Sequence, residues 1–133
     1  MDKNGLIHSY HAQGFNCAQA VLAVSSELTK LPEKTALAVA GGLGGGCRCG
    51  EICGALSGSV LVLGMAVPHT EPDDPDRKQL VGALAKELCG DFRTQFGCVT
   101  CRELVEKYGG KEHCEEFMRF AAENVEKIVK ERG

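Results

Sequence analysis

The chain has 133 residues and a formal net charge of −3 at pH 7. This length suits a single domain, spanning 1–133, that buries its own core without covalent cross-links. Its 44% hydrophobic and 25% charged residues are typical of soluble globular proteins. No basic run supplies phosphate contacts, and 5% aromatic residues without Trp offer little surface for stacking bases. The composition therefore argues against nucleic acid or an anionic membrane surface as a partner.

The sequence shows no strong membrane or export signal. The N-terminal residues are polar and lack the apolar region of a signal peptide. The longest apolar-rich segment, 52–67, has 16 residues including three Gly and two Ser, which is short for a bilayer span. We therefore expect a cytoplasmic protein. In that compartment its eight cysteines would serve as thiols, metal ligands or transient redox groups rather than as a disulfide framework.

Helical patterns dominate the first half of the chain. Apolar residues recur at the spacing of one helix face between 15 and 28, which predicts a helix there. A shorter helix, predicted over 33–40, ends in the glycine tract 41–46. An apolar helix follows over about 51–67, and its composition predicts burial on most sides.

Local signals also mark the helices of the second half. Asp74 is predicted as the N-cap, and Pro75 as the first residue, of a helix that continues through Leu88. The sequence Thr100-x-x-Glu103 is a capping box for the next helix. A final helix carries one apolar stripe, formed by Cys114, Phe117, Ala121, Val125 and Ile128. No useful strand-like alternation occurs. We therefore predict an all-α, compact helical bundle of about five to six helices around the central apolar helix.

Four cysteines occupy equivalent positions in these helices. Each lies in or near the first turn of a predicted helix: Cys17, Cys53, Cys101 and Cys114. A helix N-terminus offers free N–H groups and a partial positive charge, which stabilise a thiolate and would also favour a bound anionic cluster. The pattern indicates one shared site of four thiols. The alternative for any single cysteine is an ordinary small side chain in the core.

A second grouping is the pair Cys98 and Cys101. This C-x-x-C directly precedes a helix, the placement that dithiol oxidoreductases use to lower one thiol pKa. Arg102 rather than His follows it, so it is not a haem attachment site. No βαβ pattern surrounds it, which weakens a thioredoxin-like interpretation. If the protein works by thiol–disulfide exchange, the candidate catalytic residues are Cys53, Cys101 and Cys98.

A third grouping is Cys47-x-Cys49-x3-Cys53. It lacks the C-x2-C knuckle with which zinc sites usually begin. Two of these cysteines could still complete a four-thiolate site together with Cys98 and Cys101, so Cys47, Cys49 and Cys98 are accessory candidates for metal binding. Cys89 is expected to be structural.

The glycines do not form a nucleotide-binding loop. The stretch 41–50 has no Lys-Ser/Thr after its glycines and no register that gives G-x-G-x-x-G. We expect these glycines to let the backbone pass close to a neighbouring helix or a buried cofactor. Gly54 and Gly58 form a smooth face on the apolar helix that suits intrachain packing or a homodimer equally.

The remaining polar residues give little indication of a functional site. His8 and His11 lie three residues apart near a terminus expected to be mobile, where solvent exposure is the simpler interpretation. Glu112, Glu115 and Glu116 are expected to form a solvated first helical turn that suits the helix dipole.

Several motifs together resemble a known family. The chain has NCAQAV at 16–21, GGLGGG followed by CGALSG at 53–58, CREL at 101–104, and then Cys114. This order resembles the C_GCAxxG_C_C family, whose members are described as redox-active because of their cysteines and whose substrates are undefined. The resemblance runs from about Gly14 to the last helix.

Carried onto this sequence, the resemblance implies that the family's cysteines correspond to Cys17, Cys53, Cys101 and Cys114. The family is similar to a domain of split-Soret cytochromes in which such cysteines hold an iron–sulfur centre. This kinship implies an iron–sulfur cluster, in the simplest case [2Fe–2S], bound by these four residues. The chain departs from the usual pattern in its additional Cys47, Cys49 and Cys98.

Three functions remain open at this level. The first is electron transfer or redox sensing with an iron–sulfur cluster, as an oxidoreductase or as an electron carrier. The second is thiol–disulfide exchange without metal, and the third is a structural zinc module on the same thiolates. The expected partner is a redox protein or a small redox molecule.

Overall fold

The computed structural model describes residues 2–133 and shows an all-α fold. No β-strand occurs within these residues, so the predicted fold class is confirmed. None of the described helices is long and apolar enough to cross a bilayer. A short π-type turn lies at Gly46–Gly50, and the α-helices are α1 (Lys3–Ala12), α2 (Cys17–Val24), α3 (Ser26–Thr29), α4 (Glu33–Val39), α5 (Gly54–Ala66), α6 (Pro75–Phe96), α7 (Cys101–Tyr108) and α8 (Cys114–Arg132).

Residues 2–133 form eight α-helices rather than five to six, because the N-terminal residues form α1 and the segment predicted as one helix from 15 to 28 is divided. Asn16 caps α2 by accepting a hydrogen bond from the Gln19 N–H, and the Gln19 side chain accepts one from the Asn16 N–H. The helix breaks at Ser25, where φ is −100° and ψ is 24°. The Ser25 hydroxyl donates to the Val21 carbonyl, a back-bond that bends helices.

The apolar helix α5 begins at Gly54, three residues later than expected. The residues before it do not continue the helix because they form the π-type turn and then an extended segment, in which Ile52 makes an isolated antiparallel bridge with Thr100. From Gly54 onward α5 packs against α2, α3, α6 and α8. This packing explains why its sequence is apolar on most sides.

The glycine face of α5 serves packing within the chain. A Cβ atom at Gly58 would lie 3.0 Å from the Ala18 carbonyl oxygen and 3.1 Å from the Ala18 Cα. A Cβ atom at Gly54 would lie 2.5 Å from the Cys17 Sγ. The face therefore lets α2 approach α5 closely and brings Cys17 next to the start of α5.

Helices α6, α7 and α8 meet at an aromatic cluster. The Phe96 ring lies 4.9 Å from Phe92 and 4.8 Å from Phe117, measured between centroids, in edge-to-face arrangements. The predicted cap at Asp74 and the start at Pro75 are confirmed, but α6 continues past Leu88 to Phe96. The predicted apolar stripe of α8 is buried from Phe117 onward, at Phe117, Ala121, Val125 and Ile128.

The N-terminal segment is a helix that contacts α8. The His8 and His11 rings both reach Glu115, with Nδ1–oxygen distances of 3.0 Å and 2.7 Å. The Lys3 ammonium donates to Glu126 at 2.5 Å. The first turn of α8 is therefore not simply solvated, and the terminus is attached by contacts between residues more than one hundred positions apart.

Candidate functional site

The four cysteines selected from the sequence stand at four helix starts. Cys17, Cys101 and Cys114 are the first residues of α2, α7 and α8, and Cys53 is the residue immediately before α5. The placement near helix N-termini is as predicted. It follows from local sequence, because Asn16 and Thr100 accept hydrogen bonds from the first turns of α2 and α7.

An isolated backbone bridge brings two of these helix starts together. The Cys53 N–H donates to the Val99 carbonyl at 2.8 Å, and the Cys101 N–H donates to the Glu51 carbonyl at 2.7 Å. These two bonds align the segment before α5 with the segment before α7. Two cysteines that are far apart in the sequence thus enter the same region of the fold.

All four cysteines line one cavity of about 150 Å³. A cavity of this size holds a small compact group, comparable to a benzene molecule. Its apolar wall is formed by Phe15, Leu104, Val105, Phe117 and Met118. We call this space the cysteine cavity. Cys53 is 5% exposed, and Cys17, Cys101 and Cys114 are partly exposed, so the thiols lie at different depths.

Cys17 and Cys53 form a hydrogen-bonded pair. The hydrogen bond that Cys53 donates is the main reason that the pKa of Cys17 falls to about 6, and the backbone N–H groups of Gly45, Ala18 and Cys17 lower this pKa further. The same bond, together with burial, holds the pKa of Cys53 well above its usual range. In metal-free protein near neutral pH, the pair therefore consists of a Cys17 thiolate and a Cys53 thiol.

Cys101 and Cys114 differ from Cys17 in their protonation. Burial raises the pKa of the Cys101 thiol, and it raises the pKa of Cys114 to about 11, with further increases from the neighbouring Cys17 charge. Lys111 acts in the opposite direction on both thiols. The four sulfurs are thus close enough to influence one another, with the negative charge concentrated on Cys17.

The other cysteines lie elsewhere. Cys47 and Cys49 are exposed on the π-type turn and do not line the cysteine cavity. Cys98 lines a separate surface cavity beside Glu103 and Lys107, although it is only three residues from Cys101. Cys89 is half-buried within α6, because this helix continues past the predicted end near Leu88 to Phe96.

The glycine tract shapes one wall of the site through a left-handed turn. The φ angles of residues 45–48 are all between 57° and 65°, which includes the non-glycine residues Cys47 and Arg48. A left-handed conformation costs roughly 1–2 kcal/mol for each non-glycine residue. The turn places the Gly45 N–H against the Cys17 sulfur and positions Arg48 at the cavity. We call residues 45–48 the left-handed turn.

Three basic residues of the site were not identified from the sequence. His11, Arg48 and Lys111 line the cysteine cavity, although they come from α1, the left-handed turn and the loop before α8. In the sequence, Arg48 stands between two cysteines and Lys111 lies three residues before Cys114. This spacing alone does not place either residue at the four-cysteine site. No local pattern indicates that the three would converge.

Of three comparisons with known proteins, the one with protein families finds a match. A family model described as "Putative redox-active protein (C_GCAxxG_C_C)" matches residues 15–128. No curated protein and no solved structure matches the chain. The matched range includes all four cysteines of the cavity and covers well over half of the sequence. The chain therefore belongs to the C_GCAxxG_C_C family of redox-active proteins.

Proposed function

We propose that the protein is an electron carrier or redox sensor in which Cys17, Cys53, Cys101 and Cys114 hold an iron–sulfur cluster, in the simplest case [2Fe–2S]. The main support for the proposal is that four cysteines, from four helix starts, line one cavity of about 150 Å³. Four cysteine thiolates are the usual ligand set of such clusters.

Four cysteine thiolates suit either an iron–sulfur cluster or a zinc ion, but their spacing around an open cavity favours the larger group. Within residues 2–133, no three His, Cys, Asp or Glu side chains are grouped so that they could hold one metal ion as they stand. The four thiols instead surround an open space. A cluster brings its own iron and sulfide into such a space, whereas a structural zinc ion requires four ligands that meet at one point.

When bound, the cluster would supply one-electron redox chemistry. The chain's own groups would determine its environment. Phe117 and Met118 limit the access of water, and the backbone N–H groups that now face the Cys17 and Cys53 sulfurs would remain available as donors to ligated sulfur. Such N–H groups favour added negative charge, so they favour the reduced state.

Anaerobic purification of the full chain tests the proposal. We expect iron and acid-labile sulfide at cluster stoichiometry, with visible absorbance that bleaches on reduction, either as purified or after reconstitution with iron and sulfide. Zinc is quantified in the same samples. Colourless protein without iron after reconstitution contradicts the proposal, and stoichiometric zinc without redox activity selects the structural metal site.

The pair Cys17 and Cys53 favours a second candidate function, thiol–disulfide exchange without metal. The Cys17 thiolate would attack a partner disulfide and release one partner thiolate. Cys53 would then displace the second partner thiol and lose its proton to a leaving thiolate, which leaves a Cys17–Cys53 disulfide. The hydrogen bond between the two sulfurs and the low pKa of Cys17 support this assignment of attacking and resolving thiols.

The low pKa of Cys17 leads to a specific prediction for metal-free, reduced protein. Alkylation of Cys17 by iodoacetamide should rise with pH through a midpoint near 6, because the thiolate is the reactive form and is populated above that pKa. Replacing Cys53 with alanine should move this midpoint upward, since the donated hydrogen bond is lost. Mass spectrometry of each cysteine measures both values. A Cys17 midpoint near the ordinary thiol pKa of about 8.5 would contradict the assignment.

A further inference from the structure

The charged side chains that line the cysteine cavity, Arg48 and Lys111, are both basic, whereas Glu115 contacts the lining residue His11 and acts on Cys114 from outside the lining. The lining includes His11, Arg48 and Lys111 and, among the described residues 2–133, no Asp or Glu. The chain as a whole has 18 acidic and 15 basic residues. The cavity is therefore a cationic site in an acidic protein, and its sign is opposite to that of the molecule.

Two of these cations are free to act on an occupant of the cavity. The ion pairs within the described part of the chain, 2–133, include neither Arg48 nor Lys111. His11 differs because its Nδ1 lies 2.7 Å from a Glu115 carboxylate oxygen, so its ring already has a partner outside the cavity. Both Arg48 and Lys111 are largely exposed, so their head groups stand at the entrance rather than in the core.

The backbone of Arg48 adopts a left-handed conformation. Its φ of 64° lies in the left-handed region, as does that of Cys47. Strain of this kind persists where the surrounding structure fixes it, and it concentrates at functional sites. Here the left-handed turn also presents the Gly45 N–H to Cys17, so the same segment contributes both a backbone donor and Arg48 to the lining of the cavity.

We propose that Arg48 and Lys111 are the counter-ions of an anionic sulfur group in the cysteine cavity. This inference builds on the proposed function and names the charge and chemical class of the occupant. Two sources share this chemistry. One is the thiolate-ligated cluster, which is an anion because four thiolates outweigh the positive charge of a [2Fe–2S] core. The other is a free small anion that contains sulfur, of which thiosulfate is the probe.

Charge-selective alkylation of metal-free, reduced protein tests the counter-ions without requiring a cluster. Iodoacetate is anionic and iodoacetamide is neutral, and both react with the same thiolate, so the ratio of their rates at Cys17 is independent of its pKa. The double substitution Arg48→Gln with Lys111→Gln should lower this ratio about 3- to 10-fold at low ionic strength, and added salt should reduce the difference. Circular dichroism checks that the variant is folded.

Two matched variants serve as controls. Lys127→Gln removes the same charge from an exposed position of α8 that does not line the cavity, and it should change the ratio less than about twofold. Arg48→Lys with Lys111 intact keeps the charge and should retain the wild-type ratio. If the double variant behaves like Lys127→Gln, the proposal is overturned, whether or not the protein binds a cluster.

Two further measurements distinguish the sources of the anion. A more negative midpoint potential of the reconstituted double variant, relative to wild type, assigns the counter-ions to the cluster, because removal of cations disfavours added negative charge. The second measurement is the protection of Cys17 by thiosulfate from alkylation in metal-free protein, with ionic strength matched by chloride. Protection that occurs in wild type and is lost in the double variant assigns the counter-ions to a free anion. Absence of both effects contradicts the presence of an anionic sulfur occupant.

Discussion

Replacing Cys53 with serine is expected to lower the iron and sulfide content of anaerobically reconstituted protein about tenfold or more. Loss of a group that merely orients a metal ligand costs about 10- to 100-fold in affinity, and loss of a ligand should cost at least as much. Serine is a favourable helix N-cap, and Cys53 occupies that position before α5. The substitution should therefore remove the thiolate without preventing the helix from starting.

The other cysteines provide matched comparisons for this experiment. Cys17→Ser, Cys101→Ser and Cys114→Ser should reduce iron to a similar extent, because all three line the same cavity as Cys53. Cys89→Ser and Cys98→Ser should retain wild-type iron, since both residues lie outside it. Wild-type iron in the Cys53 variant, or equal losses in the Cys98 variant, would contradict the proposed ligand set. Circular dichroism of each metal-free variant separates loss of ligand from loss of fold.

Alanine at position 58 is expected to destabilise the protein by about 1–3 kcal/mol, the usual cost of overpacking a core. The added Cβ would lie 3.0 Å from the Ala18 carbonyl oxygen and 3.3 Å from the Val21 Cβ. These contacts are with the backbone and the branch point of α2, which cannot rotate away. Helix α2 would have to move away from α5, and Cys17 at its start would move with it. Urea denaturation of metal-free protein measures the change in the free energy of unfolding.

The same helix contains a control for this prediction. A Cβ at Gly64 would meet nothing within 4 Å. Gly64→Ala should therefore stabilise the protein by up to about 1 kcal/mol, because alanine loses less backbone entropy than glycine on forming a helix. Opposite signs for one substitution at two positions of α5 would establish that close packing, rather than helix propensity, explains Gly58. Equal effects would contradict the close approach of α2 to α5.

Much of the helical organisation follows from local sequence. Caps at Asn16, Asp74 and Thr100 act within three residues, and the apolar stripe of α8 repeats over a few turns. Because helix starts are local events, their coincidence with cysteines can be recognised without a structure. The local pattern did not predict the break at Ser25, where the Ser25 hydroxyl donates to the Val21 carbonyl and the helix ends within an otherwise continuous helical pattern.

The N-terminal helix illustrates what local reasoning could not provide. Its sequence is polar, and nothing within the segment shows what it contacts. The structure buries Ile7 completely and attaches the helix through Lys3 to Glu126 and through His8 and His11 to Glu115. These partners are more than one hundred residues away, so their proximity depends on how α8 packs.

The sequence by itself determined the all-α class, the family, and the presence of four cysteines at helix starts, because these depend on short-range patterns and motifs. Only the tertiary structure decided that the four cysteines share a cavity, through the bridge between Ile52 and Thr100 and the close contact at Gly54. It alone decided that Arg48 and Lys111 stand at the same entrance. The physical reason is that electrostatic interactions and metal ligation depend on the distances between atoms in space. The packing of the helices sets these distances, and the spacing of residues in the sequence does not.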